Sequence, residues 1–511
     1  MAEQKRLTES LKKTYEKMVN DRQPYVDRAI ECAKYTIPSL FHDETNDGNT
    51  AYTTPYQSIG SRGVNNLASK LLLAMLPPNE PFFRLSTSSE VNAELEKQPT
   101  IRQQVEKELA KIERDIMKYI ETHQIRITIA ELLKVLVITG NGLLYLPPQG
   151  GIKLYKLHNY VVQRDGIGNV IKIITREKIA FSALPDELKA GVAKGKDDVK
   201  EDTMVDIFTC VFRATEGDVF YSYQEIEEEV VAGTENQYPI DSTPYIPVRL
   251  FKQDGEHYGR SYAEEYLGDL RQVESLSKSL GEFYAICANI ILMVNPTGIT
   301  SIRDLSKAKS GDFIVGRRDD VQALMIDKFA DFQTANVGIK EIEGRLSFAF
   351  LLNSAVQRQG ERVTAEEIRY VAGELEDTLG GVYSILAQEL QLPLAKRLLN
   401  QQQAIGAMAQ LPKGTVEPAI TTGLEALGRG HDLNKIDMFL QYLQVLPPQI
   451  QQMIKPEGLL SSIANSLGLD TEGIVKTPEE LQAEMQQQQQ MALEQQVAPQ
   501  VAQQAMTSGE G

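Results

Sequence analysis

The residue types that do chemistry are present but not grouped. The five histidines, His42, His123, His158, His257 and His431, stand far apart. No HxxxH or HExxH spacing brings two of them onto one helical face, so the pattern offers no metal ligand set. The cysteines Cys32, Cys210 and Cys287 are also separated, without a CxxC pair. They support neither a zinc knuckle nor a disulfide framework, and a reducing compartment is the natural reading. No GxxxxGKS or GxxxxGKT loop occurs. The Gly-rich spots Gly140-Asn141-Gly142 and Gly150-Gly151 lack the lysine or helix start that a phosphate site needs. GxSxG, the turn that presents an esterase serine, is absent. Glu366 and Glu367 are adjacent, and adjacent helical residues diverge by about 100°, so they cannot share one acid–base site. With Thr364 they read instead as a capping box. No cofactor is implied, and the pattern is not that of an enzyme.

The elements that would position any site follow from length and periodicity. At 511 residues the chain is too long for one compact core, and 42% apolar with 24% charged residues is the balance of a soluble globular protein. The net charge of −17 counts against a conventional DNA-binding protein, which presents a basic face to phosphates. The N-terminal MAEQKRLTESLKKTYEKM lacks the apolar core of a signal peptide. The run FYAICANIILMV at 283–294 is too short to span a bilayer and contains Asn289. No membrane partner is expected, and the expected setting is a cytoplasm-like solution.

Residues 1–35 predict an amphipathic helix with a break at Pro24. Residues 61–76 form another, with Val64, Leu67, Leu71, Ala74 and Met75 on one face and Pro77-Pro78 as the stop. Residues 92–122 and 126–139 predict two more helices. From Leu143 the period shifts to short β-rich pieces separated by Gly and Asp, which predicts antiparallel hairpins. The charged stretch 186–203 reads as a surface loop, and 238–250 as an extended edge strand. Helices return at Ser261, with Glu264 completing a capping box. The stripe Tyr262, Tyr266, Leu270, Val273, Leu276, Leu280, Tyr284, Cys287 and Ile291 predicts one helix of about 45 Å. A Gly-containing module with short strands such as DFIVG follows, then a helix over 334–352 and the polar stretch 353–363. A long helix from Thr364 is expected to bend at Gly380-Gly381 and Pro393. A short strand is expected around 416–423, helices from 431, and a Gln-rich tail that cannot supply much core. The fold class is α+β, mainly helical.

Five stretches together carry a resemblance: YTIPSLF (35–41), GSRGVNNLASKLLLAMLP (60–77), YGRSYAEEYLGDL (258–270), QRQGERVTAEEIRY (357–370) and ELEDTLGGVYSILAQELQLPL (374–394). In this order they resemble the portal, or head-to-tail connector, proteins of short-tailed phages of the autographivirus type. The resemblance implies the phage portal fold, with wing, stem, clip and crown regions around a central channel. It assigns 1–260 to the wing, 261–295 and 334–352 to the stem helices, and 296–333 to the clip. It assigns 353–363 to the tunnel loop, 364–429 to a kinked wing helix and strand, 430–478 to the crown, and 479–511 to a flexible tail.

The same resemblance implies a homododecameric ring at one capsid vertex, assembled in the host cytoplasm and carried in the virion. Implied partners are double-stranded DNA in the channel, the terminase large subunit, a tail adaptor, major capsid and scaffolding proteins, and internal core or ejection proteins. In the tunnel loop, Arg358 and Arg362, with Gln357 and Gln359, are the residues expected to face DNA. A cation repeated around a ring makes a band of positive potential, even where each contact is weak. The clip adds a basic cluster, Arg303, Lys307, Lys309, Arg317 and Arg318, for which solvated surface or subunit ion pairs is the plainer reading. A scaffolding protein without DNA contact is the alternative of a different class.

Overall fold

A computed structural model describes residues 7–43, 50–78, 81–95, 97–184, 189, 202–214, 218–288, 292–323, 329–352, 382–406 and 415–420. The chain divides into two compact units, Met1–Gly423 and Leu424–Gly511, and every described residue belongs to the first. The expected surface loop at 186–203, the tunnel loop, the Thr364 capping box, the crown helices and the Gln-rich tail lie wholly or largely outside the described residues.

At the centre stands α5 (Ile125–Thr139), whose Ile125, Ile129, Leu132, Leu133 and Val135–Ile138 are all buried. Ile127 and Glu131 stay exposed near its start, while every residue from Val135 to Thr139 is buried, so its last turn is enclosed on all sides. It packs against α1 (Leu11–Lys34) and α2 (Ile59–Met75), and runs directly into β2 (Asn141–Tyr145). The hinge between α5 and β2 is Gly140, at φ +73°, where an added Cβ would lie 2.4 Å from the Arg260 carbonyl carbon and oxygen. Only glycine satisfies both the left-handed backbone and that approach. Asn141 then clasps the YGRSY stretch: its Oδ1 accepts from Gly259 N at 2.7 Å and its Nδ2 donates to Gly259 O at 2.9 Å. Gly140-Asn141-Gly142 is therefore a joint between segments, consistent with its failure to read as a phosphate site.

The β-rich region is antiparallel throughout. β4 (Tyr160–Arg164), β5 (Val170–Ala180), β6 (Met204–Arg213), β7 (Val219–Ile226) and β8 (Glu229–Val230) follow in order, and β9 (Asn236–Pro239) pairs with β7. Leu11 and Tyr15 of α1 lie on this sheet against Val161, Ile174, Phe208, Cys210 and Tyr223. Glu225 of β7 accepts the Leu11 N–H, so a strand carboxylate serves the positive end of a helix far away in sequence. A separate three-stranded sheet has β2 between β3 (Lys153–Tyr155) and β10 (Tyr245–Arg249). β1 (Phe83–Thr87) pairs with β13 (Val416–Ile420).

Several elements depart from the periodicity reading, each for a local reason. α1 runs through Pro24 unbroken. Both Pro24 and Asn20 are exposed, so the Asn20 carbonyl that loses its donor faces water, while Arg22 and Val26 anchor the buried side. The helix expected over 92–122 is two, α3 (Ser89–Leu95) and α4 (Pro99–Thr122), because proline favours the first helical turn. The edge strand expected over 238–250 is interrupted by a tight turn at Ile240–Ser242. The helix expected from Ser261 is divided at Tyr266 into α6 (Tyr262–Glu265) and α7 (Leu267–Ala288).

The bend expected near Pro393 is a π-helical turn, Ala387–Gln391, between α10 (Val382–Leu386) and α11 (Leu392–Ala404). Proline cannot donate to the carbonyl four residues back, here that of Glu389, and its ring presses against that group. A wider turn just before Pro393 relieves both problems.

Candidate functional site

The candidate site is built on α7 and α9 (Phe329–Ala349), which pack against one another, and on the module that joins them. Ser261 Oγ accepts from Glu264 N at 3.0 Å and starts α6. Farther along, Phe283 of α7 stacks on Phe332 of α9, and Arg345 donates to Asp269 at 2.8 Å.

Several acidic residues at the start of this pair are engaged within the chain. Glu264 pairs with Arg260 and with Arg28, each at 3.3 Å. Glu274 accepts from the backbone of Tyr56 and Gln57. Arg271 binds Glu31 of α1. Glu265 is exposed, and the partial desolvation of its carboxyl, then the neighbouring Glu264, raises it above the ordinary range. Lys278 and Glu282 are exposed. The negative field along α7 is thus weaker than its residue count suggests.

The module has a polar centre. β11 (Leu292–Val294) pairs with β12 (Val321–Ala323), and α8 (Ile302–Leu305) is a single turn. The Asp320 carboxylate accepts from Ile299 N, Thr300 N and Thr300 Oγ1 at 3.0, 3.2 and 2.8 Å. The Thr300 hydroxyl first, then the backbone donors, hold it below the usual carboxylate range. The segment 312–316, expected as a strand, pairs with no strand among the described residues. Ile299, Ile302, Phe313 and Val315 point their apolar side chains outward.

All five basic residues expected in the clip lie on this module and all are exposed. None forms an ion pair with another described residue. Arg303 lies within the α8 turn and Lys307 just after it, Lys309 N donates to Asp312 at 2.7 Å, and Arg317 N donates to Thr300 Oγ1 at 3.1 Å. Gln357, Arg358, Gln359 and Arg362 lie outside the described residues.

Two residues that periodicity passed over stand at the end of α9. Asn66 Nδ2 donates to Phe350 O and Leu351 O, both at 2.9 Å, and Lys70 Nζ donates to Leu351 O at 3.0 Å. Gly63, one turn earlier on the same face of α2, lets the Phe350 ring sit where its own Cβ would be, 2.5 Å away. No local signal marks these contacts, because their partners lie 281 or more residues away.

No reactive centre appears elsewhere among the described residues. Among these residues no group of three or more potential metal ligands occurs, and no described helix is long and apolar enough to cross a membrane. Burial pushes the Cys32 thiol up to about 11 and that of Cys210 to about 12, which leaves both as thiols. His158 stacks on Phe41 and contacts the His42 carbonyl, and His257 accepts from Arg164 N.

Comparison with known proteins gives this arrangement its place. The family model described as bacteriophage head to tail connecting protein matches residues 8–475. The chain is similar to the portal protein of Enterobacteria phage T3, at 50% identity over 95% of this chain and 92% of that one. To the portal protein of Escherichia phage T7 it is 49% identical, over 93% and 90%. A chain from the virion of a native gene transfer agent (GTA) particle matches at a TM-score of 0.34 and 10% identity, over 74% and 85%, too weakly to carry an argument. A match running through almost the whole chain, at half identity, extends the resemblance seen in five stretches to nearly its full length, and the chain belongs to the head-to-tail connecting, or portal, protein family of phages.

Proposed function

We propose that this portal protein forms a dodecameric ring whose central channel conducts double-stranded DNA at one capsid vertex. Members of the family are structural virion proteins rather than enzymes. On this reading 1–260 is wing, 261–295 and 334–352 are stem, and 296–333 is clip. The tunnel loop is 353–363, followed by the kinked wing helix and strand to 429, the crown at 430–478 and the tail at 479–511. The ring assembles in the host cytoplasm with scaffolding and major capsid proteins and docks the terminase large subunit for packaging. It retains the genome, attaches the tail adaptor, meets the internal core proteins and allows ejection.

The observation that carries this reading is the α7–α9 pair with its module. The pair leaves Tyr284, Ile286, Val337 and Phe348 exposed, and the module leaves Phe313 and Val315 almost wholly so. A thin two-helix arm cannot cover that apolar surface itself, and adjoining copies in a ring cover it at no cost in shape. Arg358 and Arg362, with Gln357 and Gln359, are proposed to face the DNA. Arg303, Lys307, Lys309, Arg317 and Arg318 are proposed for solvent and subunit contacts at the clip.

Native mass measurement and negative-stain imaging of the purified chain test the proposal. A closed ring with a central hole is expected. A monodisperse monomer at micromolar concentration with the helices folded would overturn it, and a compact assembly without a hole would favour the scaffolding alternative.

A further inference from the structure

The end of α9 is a strained cap held from outside. Leu352 N donates to Ser347 O at 2.8 Å, and Leu351 N donates to Phe348 O at 3.1 Å. These are the two bonds of a Schellman cap, whose penultimate position requires a left-handed residue and is normally glycine. Here it is Leu351, at φ +55° and almost fully buried. A side chain in that backbone state is disfavoured about tenfold or more relative to glycine. It persists only where surroundings over-determine it.

Those surroundings are α2 and α6. The carbonyls left over at the end of α9 each meet a donor: Ala349 O accepts from Tyr262 Oη at 2.7 Å, Phe350 O from Asn66, and Leu351 O from both Asn66 and Lys70. Gly63, Asn66 and Lys70 fall at i, i+3 and i+7 on one face of α2, so a single helix face receives the Phe350 ring and the two carbonyls. Lys70 adds a positive charge where the α9 dipole is negative. Its stem is buried, so the ammonium is held in place.

We propose that Asn66 and Lys70 are positioning residues. They hold Leu351 in its left-handed state and so fix the direction in which the chain leaves α9 after Leu352. The consequence for DNA rests on the reading of 353–363 as the tunnel loop; the cap itself does not. In a ring the same direction is imposed on every copy, so each segment that follows starts from an equivalent place.

The test is hydrogen exchange on assembled rings of the full chain, followed at the amides of Leu351 and Leu352. Asn66→Ala is expected to speed exchange there about tenfold. Asn66→Ala combined with Leu351→Gly is expected to return it close to the parent rate, because glycine holds the left-handed state unaided. Unchanged exchange in Asn66→Ala, or no recovery with glycine, overturns the proposal. If Asn66→Ala does not assemble, Lys70→Met reads the same amides, since it keeps an apolar stem and removes only the donor. Faster exchange there supports the cap, and parent-like exchange overturns it. Genome retention in Arg358→Ala heads judges the tunnel-loop reading separately, so either can fail without the other.

Discussion

Glu389 binds Arg249 through both the backbone and the side chain. The carboxylate accepts from Arg249 N at 3.0 Å and from Nε at 3.1 Å, and also meets the terminal guanidinium nitrogen. The pair ties the π-helical turn to β10, and the arginine side chain is only 3% exposed. The wider turn that accommodates Pro393 is thereby held in one place.

Arg249→Met should destabilise the chain by about 3 kcal/mol, the usual cost of leaving one partner of a buried ion pair unpaired. The double change with Glu389→Leu should cost less than the two single changes added together. Urea unfolding of the three variants checks this; additive losses would mean that the two groups act independently.

Gly140→Ala should be severe, because the new Cβ meets backbone that cannot turn aside, at a left-handed φ. A loss of about 3 kcal/mol or more, or insoluble protein, is expected. Gly166→Ala, with nothing within 4 Å, should change stability by about 0.5 kcal/mol or less. Equal melting temperatures for the two variants would contradict the packing described for the α5–β2 joint.

Glu225 gives a pH dependence of defined sign. Burial raises its carboxyl above the ordinary value of 4.5, against the opposing hydrogen bond from Leu11. The folded state therefore binds the proton more tightly than the unfolded one, and this contribution is fully present below 4.5 and is lost as pH rises through the raised value. Relative to Glu225→Gln, the parent chain should gain stability as pH falls from about 7 toward 4.5. Thermal unfolding of both proteins across that window measures the difference; parallel curves would remove Glu225 as the cause.

Arg358→Ala addresses the proposed DNA contact. Rings should assemble as in the parent, while DNA-filled heads lose their genomes faster or fill more slowly. Electron microscopy of rings and a nuclease-protection assay of heads read the two effects. Rings that fall apart would assign the arginine to a subunit interface, and normal filling and retention would remove its role with DNA.

Much of this architecture was legible from local pattern. Ser261 and Glu264 announced the start of α6, and the change of period at Leu143 announced the β region. The basic residues at 303–318 were visible as residue type, and all five are exposed. What escaped the pattern depends on partners remote in sequence. Pro24 reads as a break until the exposure of Asn20 is known. Glu227 and Glu228 occupy left-handed positions in the turn between β7 and β8, where Asn-Gly would have been the signal. Asn66 and Lys70 look like ordinary polar residues of an amphipathic helix, because nothing near them in sequence reveals the carbonyls they serve.

The pairing of β1 with β13 has a consequence for how the chain is made. Ser86 and Glu417, joined across that pair, are 331 residues apart. At about 5–20 residues per second, β1 leaves the ribosome on the order of tens of seconds before its partner exists. For that interval its edge is unpaired, and unpaired edges recruit other strands. α4, which contacts β1, is made much sooner, and Glu113 of that helix accepts the Leu85 N–H at 2.6 Å. That carboxylate sits on the edge of β1 turned away from β13, so one side of the strand is closed early, while the side that β13 takes stays open until synthesis reaches residue 416.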